Sequence, residues 1–145
     1  MSDLYLLHAI GRINGEFRRR YHAEIEKSGY EGLKGNGRIL YILDTNGEMS
    51  QKDLALKMHI RPQSLTGALL KLEEAGYISR RRSERDKREQ FVSVTQLGSE
   101  RGREMRLVRE QVASDLFECL SAEEKENLSG QVNKIISRFD EAKEE

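Results

Sequence analysis

The sequence predicts a mainly α-helical fold with one small β-hairpin, and three observations predict it. Apolar residues recur at three- and four-residue steps over most of the chain. Two strand candidates, residues 77–81 and 90–94, flank a charged loop. A capped short helix, a tight turn and a second helix stand directly before that hairpin. Together they give an α+β winged helix-turn-helix, with the hairpin as its wing.

The elements follow in order. Leu4, Leu7, Ile10, Ile13, Phe17, Tyr21 and Ile25 give the first helix its apolar stripe. Gly29, Gly32, Gly35 and Gly37 break the chain into a loop. Ile39, Leu40, Ile42 and Leu43 belong to a second, more buried helix, stopped by the Asn46-Gly47 turn signal. Ser50 is an N-cap with Asp53 three residues on, a variant of the capping box. Leu54, Ala55 and Met58 supply the apolar face of a third helix, and His59-Ile60-Arg61 is the turn after it. Pro62 suits the first position of a fourth helix, 62–75, where its missing N–H costs nothing. That helix carries Leu65, Ala68, Leu69 and Leu72 on one side and ends at Gly76.

After the hairpin, Leu97, Met105, Val108, Val112, Leu116 and Leu120 mark a long helix. Ser121 with Glu124 is a second capping box, opening a last helix with Leu128, Val132, Ile135, Ile136 and Phe139. The 145 residues make one domain by length. The winged part, 34–95, can close without all of the terminal helices. The helices of 1–30 and 96–145 are therefore expected to form a dimerisation region against a second copy. The alternative is that they fold back on their own domain.

The chain holds 25 lysines and arginines against 25 aspartates and glutamates, for a net charge of zero. The distribution is uneven. Residues 57–88 carry nine cations and four anions, a net +5, and residues 110–145 carry four cations and ten anions, a net −6. One face suited to phosphate and another kept from it is the physical reading. Cys119 is alone, so no intrachain disulfide forms, and it falls in the late dimerisation-type helix as inert packing. No signal peptide or membrane span is visible, and a cytoplasmic protein is expected.

On the fourth helix, Gln63, Gly67, Leu70 and Glu74 project outward, flanked by Ser64, Thr66 and Lys71. Gln63 can pair with adenine N6 and N7, and Thr66 can meet a thymine methyl. Ser64 and Lys71 suit phosphate. Arg61 holds a capping position that it caps poorly, and Gly67 costs about 1 kcal/mol in mid-helix. Close approach to DNA or to the third helix would explain Gly67. In the hairpin, residues 80–90, the cations Arg80, Arg81, Arg82, Arg85, Lys87 and Arg88 are too dense for a core element and suit the minor groove. Asp86 stands two residues from Arg88 and can hold its guanidinium by a paired hydrogen bond.

Specific runs carry a family resemblance: 50–55 (SQKDLA), 69–80 (LLKLEEAGYISR), 86–88 (DKR) and 94–98 (VTQLG). The chain resembles the MarR family of bacterial winged-helix transcription regulators over nearly its whole length. The resemblance implies a homodimer built on the first and last helices and a pseudo-palindromic operator. It implies a repressor, and in many members release by a small, often phenolic, ligand. It makes Arg88 the minor-groove residue and Asp86 its partner. The family's effector cleft lies between the dimer helices and the winged unit. His8 and Arg12, one turn apart, and Tyr41 could face it and take an anionic aromatic ligand, or be solvated polar residues. Two departures stand out. Gly67 replaces a frequent arginine, and the peroxide-sensing cysteine of one subgroup's first helix is absent.

No catalytic constellation competes. With three histidines and one cysteine, no zinc, nucleophile-elbow or phosphate-loop motif occurs, so no enzyme, metal or cofactor is expected. The rival is a winged-helix module for protein contact without sequence-specific DNA binding. Six cations on one hairpin argue against it.

Overall fold

The computed structural model describes residues 1–29 and 36–141. The loop glycines Gly32 and Gly35, the Lys34 boundary and the acidic Glu144 and Glu145 lie outside the described residues. The elements are α1 (Asp3–Lys27), α2 (Gly37–Asn46), β1 (Met49–Ser50), α3 (Gln51–Met58), α4 (Pro62–Glu74), β2 (Ile78–Arg82), β3 (Gln90–Val94), α5 (Gln96–Phe117) and α6 (Ala122–Glu141). They fall into two compact units, Met1–Glu110 and Gln111–Glu145.

The first unit packs around Ile25, Ile39, Leu40, Leu43, Leu54, Leu65, Leu69, Leu72, Val92 and Met105, all within a few per cent of full burial. Tyr21 and Ile25 are the buried residues of α1, and Phe17 packs against the same core. The winged part thus shares its core with the second half of α1 and with Met105 of α5. The first half of α1 is different: Leu4, Leu7, Ile10 and Ile13 of the expected stripe are exposed.

Among the described residues the sheet has three strands in the order β1-β3-β2, where a two-stranded hairpin was expected. Met49 pairs with Val92 and Ser50 with Phe91, both antiparallel. A two-residue strand has too little alternation to register in a sequence pattern. Ile78 pairs with Val94 and Arg82 with Gln90, so β2 runs one residue later than expected.

Local signals explain the helix ends. The Ser50 hydroxyl accepts the Asp53 amide at 3.0 Å. Gly47 closes α2 and Gly76 follows α4, with φ of 78° and 80°, where a side chain would be strained. Thr95 ties the wing to α5: its Oγ1 accepts the Gly98 amide at 3.1 Å and donates to the Gly76 carbonyl at 2.7 Å. In the second unit, Ser121 and Glu124 complete a reciprocal capping box, at 2.8 and 3.2 Å. Cys119 is exposed in the turn before that box, which corrects the expectation of a cysteine packed within a helix. Among the described residues no helix is long and apolar enough to cross a membrane.

Candidate nucleic-acid interface

The interface begins at the turn between α3 and α4. His59 closes α3 at φ 55°, a left-handed conformation that reverses the chain in one residue. Arg61 then takes the N-cap position in extended conformation without a side-chain cap bond, and Pro62 opens α4. Leu65, Leu69 and Leu72 point into the core, each at 0% exposure. The period of the helix therefore turns Gln63, Ser64, Thr66, Gly67 and Lys71 to the surface, where all five are exposed. A Cβ on Gly67 would meet nothing within 4 Å. Close packing on the third helix is thus not the reason for that glycine, because the space beside it is open.

The wing is folded by its own backbone. Ser83 is buried, and its Oγ accepts the amides of Arg85 and Asp86 at 3.2 and 3.3 Å. The Ser83 amide donates to the Glu89 carbonyl at 2.9 Å, closing the loop. Asp86 Oδ1 accepts the Arg88 backbone amide at 2.9 Å. The expected Asp86 bond to the Arg88 guanidinium is therefore corrected: Asp86 shapes the loop through the main chain, as aspartate two residues back does in an Asx-turn. Sequence reasoning missed Ser83; its hydroxyl ahead of a polar loop is the local signal for such a turn.

Two of the six hairpin cations are engaged within the protein. Arg80 forks onto Glu73 at 3.1 and 2.9 Å. Arg81 reaches Glu48 at 2.6 Å and lies 4.7 Å from the Phe91 ring centroid. Hydrogen bonds from these guanidiniums hold the Glu73 and Glu48 carboxyls below their ordinary range. Arg82, Arg85, Lys87 and Arg88 are exposed, with no ion pair among the described residues.

Helix and wing share one concavity of about 640 Å³. Thr66 and Pro62 of α4 line one side and Asp86 and Arg88 of the wing another. Gln51 and Lys52, at the start of α3, complete it with Arg80, Glu89 and Gln90. Gln51 and Lys52 fall in the run 50–55 but are not among the site residues read from the sequence, because only the fold sets the N-terminus of α3 beside the wing. Arg82 lines a second concavity with Glu73, Arg80 and Arg81. The other predicted positions are separate. Tyr41 on α2 has the Arg106 guanidinium 4.5 Å from its ring centroid. His8 and Arg12 are exposed on α1, and no described contact brings them to Tyr41. Among the described residues no group of three or more His, Cys, Asp or Glu side chains could hold a metal.

A model of the MarR family matches residues 35–90. The HTH-type transcriptional regulator YwhA of Bacillus subtilis (strain 168) is 31% identical over 99 residues, covering 68% of this chain and 71% of that protein.

The chain belongs to the MarR family.

It is a winged helix-turn-helix transcriptional regulator, a DNA-binding class and not an enzyme. The B. subtilis regulator YwoH is 26% identical over 125 residues, 86% of this MarR-family chain and 89% of its own. Two solved structures share the fold. A MarR transcriptional regulator from Methanosarcina mazei Go1 matches with a TM-score of 0.81 at 19% identity, over 97% of this chain and 99% of its own. A mutant MarR from E. coli, complexed with operator DNA, matches with a TM-score of 0.79 at 21% identity, over 92% and 99%.

Proposed function

We propose that this chain is a homodimeric repressor that binds a pseudo-palindromic operator, with α4 in the major groove and the wing in the minor groove. One observation carries the reading: Pro62 and Thr66 at the exposed start of α4 and the exposed Arg88 of the wing border one concavity. A duplex whose backbone runs through that concavity would have α4 on one side and Arg88 on the other. Gln63 and Thr66 would read base edges, Gly67 would let the helix approach, and Arg61, Ser64 and Lys71 would hold phosphates. Arg82, Arg85, Lys87 and Arg88 would enter or flank the minor groove, with Asp86 shaping the loop. The operator complex of the E. coli relative supports the same use of the shared fold.

The terminal helices, within 1–30 and 96–145, supply the dimer in this reading, and the winged part is 34–95. Leu4, Leu7, Ile10 and Ile13 on α1 and Ile135, Ile136 and Phe139 on α6 stay exposed in the single chain, which suits burial against a second copy. An anionic aromatic effector would meet His8, Arg12 and Tyr41.

The test is a mobility shift with genomic fragments around the protein's own gene, at two salt concentrations. A discrete shift with a steep salt slope that survives competitor DNA supports the reading, and no shift at low salt removes it. Light scattering of the free protein should give twice the chain mass; a monomer would end the dimer proposal. Thermal-shift screening with aromatic acids tests the effector, and no shift for His8 and Arg12 to respond to would end that part.

A further inference from the structure

Arg80 occupies an unusual place. On β2 it stands opposite Val92, on the sheet face where Ile78 and Val92 are buried. A guanidinium on such a face is costly unless it is fully bonded. Its side chain is 19% exposed, and its bonding comes from Glu73 in the last turn of α4. Nε meets one carboxylate oxygen at 3.1 Å and Nη2 the other at 2.9 Å. A fork of this kind fixes an angle as well as a distance. It joins the far end of the helix that presents Thr66 to the strand that leads into Arg88, and Arg80 lines the concavity between those two residues.

We propose that Glu73 and Arg80 are positioning residues whose fork sets the angle of the wing against α4, so that both reach the duplex together. This rests on the operator-binding reading above. It has a consequence of opposite sign to simple electrostatics. Glu73 is an anion at the edge of a phosphate-facing surface, so removing its charge should tighten binding to every sequence if charge alone acts. Loss of a brace weakens binding to the operator instead.

The test uses the whole chain with two duplexes: one selected from a random library by the wild-type protein, and a shuffled version. Glu73→Gln removes the charge with little change of shape. Arg80→Lys keeps the charge and loses the fork. Both should bind the selected duplex about tenfold more weakly, and the shuffled duplex unchanged or tighter. Arg88→Ala should cost about tenfold in the wild type and less than about threefold on top of Glu73→Gln, because a displaced wing has already lost its contact. Circular dichroism checks the fold, and Arg80→Lys carries the test alone if Glu73→Gln does not fold. Glu73→Gln binding the selected duplex as well as wild type, or Arg88→Ala costing the same in both backgrounds, overturns the brace alone. A wild type that selects no sequence overturns the operator reading, and the brace with it.

Discussion

Asp86 holds Arg88 by its amide: the carboxylate Oδ1 accepts the Arg88 backbone N–H at 2.9 Å, which leaves the guanidinium exposed. The bond needs an acceptor and no charge. Asp86→Asn should therefore keep or raise DNA affinity, while Asp86→Ala should lose about fivefold, the worth of one hydrogen bond of about 1 kcal/mol. Equal loss in both variants would show that the charge matters, and binding isotherms on one duplex decide it.

The wing cations divide into two sets that salt titration should separate. Arg85, Lys87 and Arg88 are exposed, and Arg81 is committed to Glu48. Each alanine change in the first set should reduce the slope of log affinity against log salt by about one, on random duplex as well. Arg81→Ala should leave the slope almost unchanged. A full unit lost with Arg81 would place that side chain on phosphate.

Two glycines should respond to alanine in opposite directions. A Cβ on Gly98 would run into the Tyr77 carbonyl oxygen, so Gly98→Ala should destabilise by about 3 kcal/mol, since main chain must move. Gly67 has open space around it in mid-helix, and Gly67→Ala should stabilise by about 1 kcal/mol. Urea unfolding of the two variants reads both values; a stable Gly98→Ala would contradict the packing at that junction.

Glu16 accepts hydrogen bonds from Arg19 and Arg20, which hold its carboxyl down to about 2 from 4.5. A folded value below the unfolded one gives stabilisation that is present above pH 4.5 and lost as pH falls through about 2. Wild type should therefore exceed Glu16→Gln in Tm at neutral pH, with the margin closing over that acid range. The pair is exposed, so the margin is small and shrinks in salt. A margin that grows on acidification would contradict the assignment.

Much of the fold was legible because its elements are marked locally. Ser50, Pro62, Gly76 and Ser121 announce helix ends by chemistry that acts within four residues, and Leu65, Leu69 and Leu72 mark one buried face. What stayed hidden depends on distant partners. β1 exists because Met49 finds Val92, 43 residues away. The engagement of Arg80 and Arg81 depends on Glu73 and Glu48, which a count of hairpin cations cannot reveal. Gln51 and Lys52 border the shared concavity only once α3 is packed. The role of Asp86 was misread because spacing gives proximity to Arg88 without saying which of its groups is bonded.

Among the described residues the strand order β1-β3-β2 leaves β2 at the edge of the sheet, with one side of its backbone unpaired. Such an edge invites another chain to add a strand, the first step of aggregation. This edge carries Arg80, Arg81 and Arg82 in succession, the first two paired with Glu73 and Glu48, and a row of charged groups opposes a strand laid beside it. The opposite edge, β1, is only two residues long and offers little to pair with. The arginine run thus also guards solubility, and neutralising it to weaken nucleic-acid contacts would expose a sticky seam.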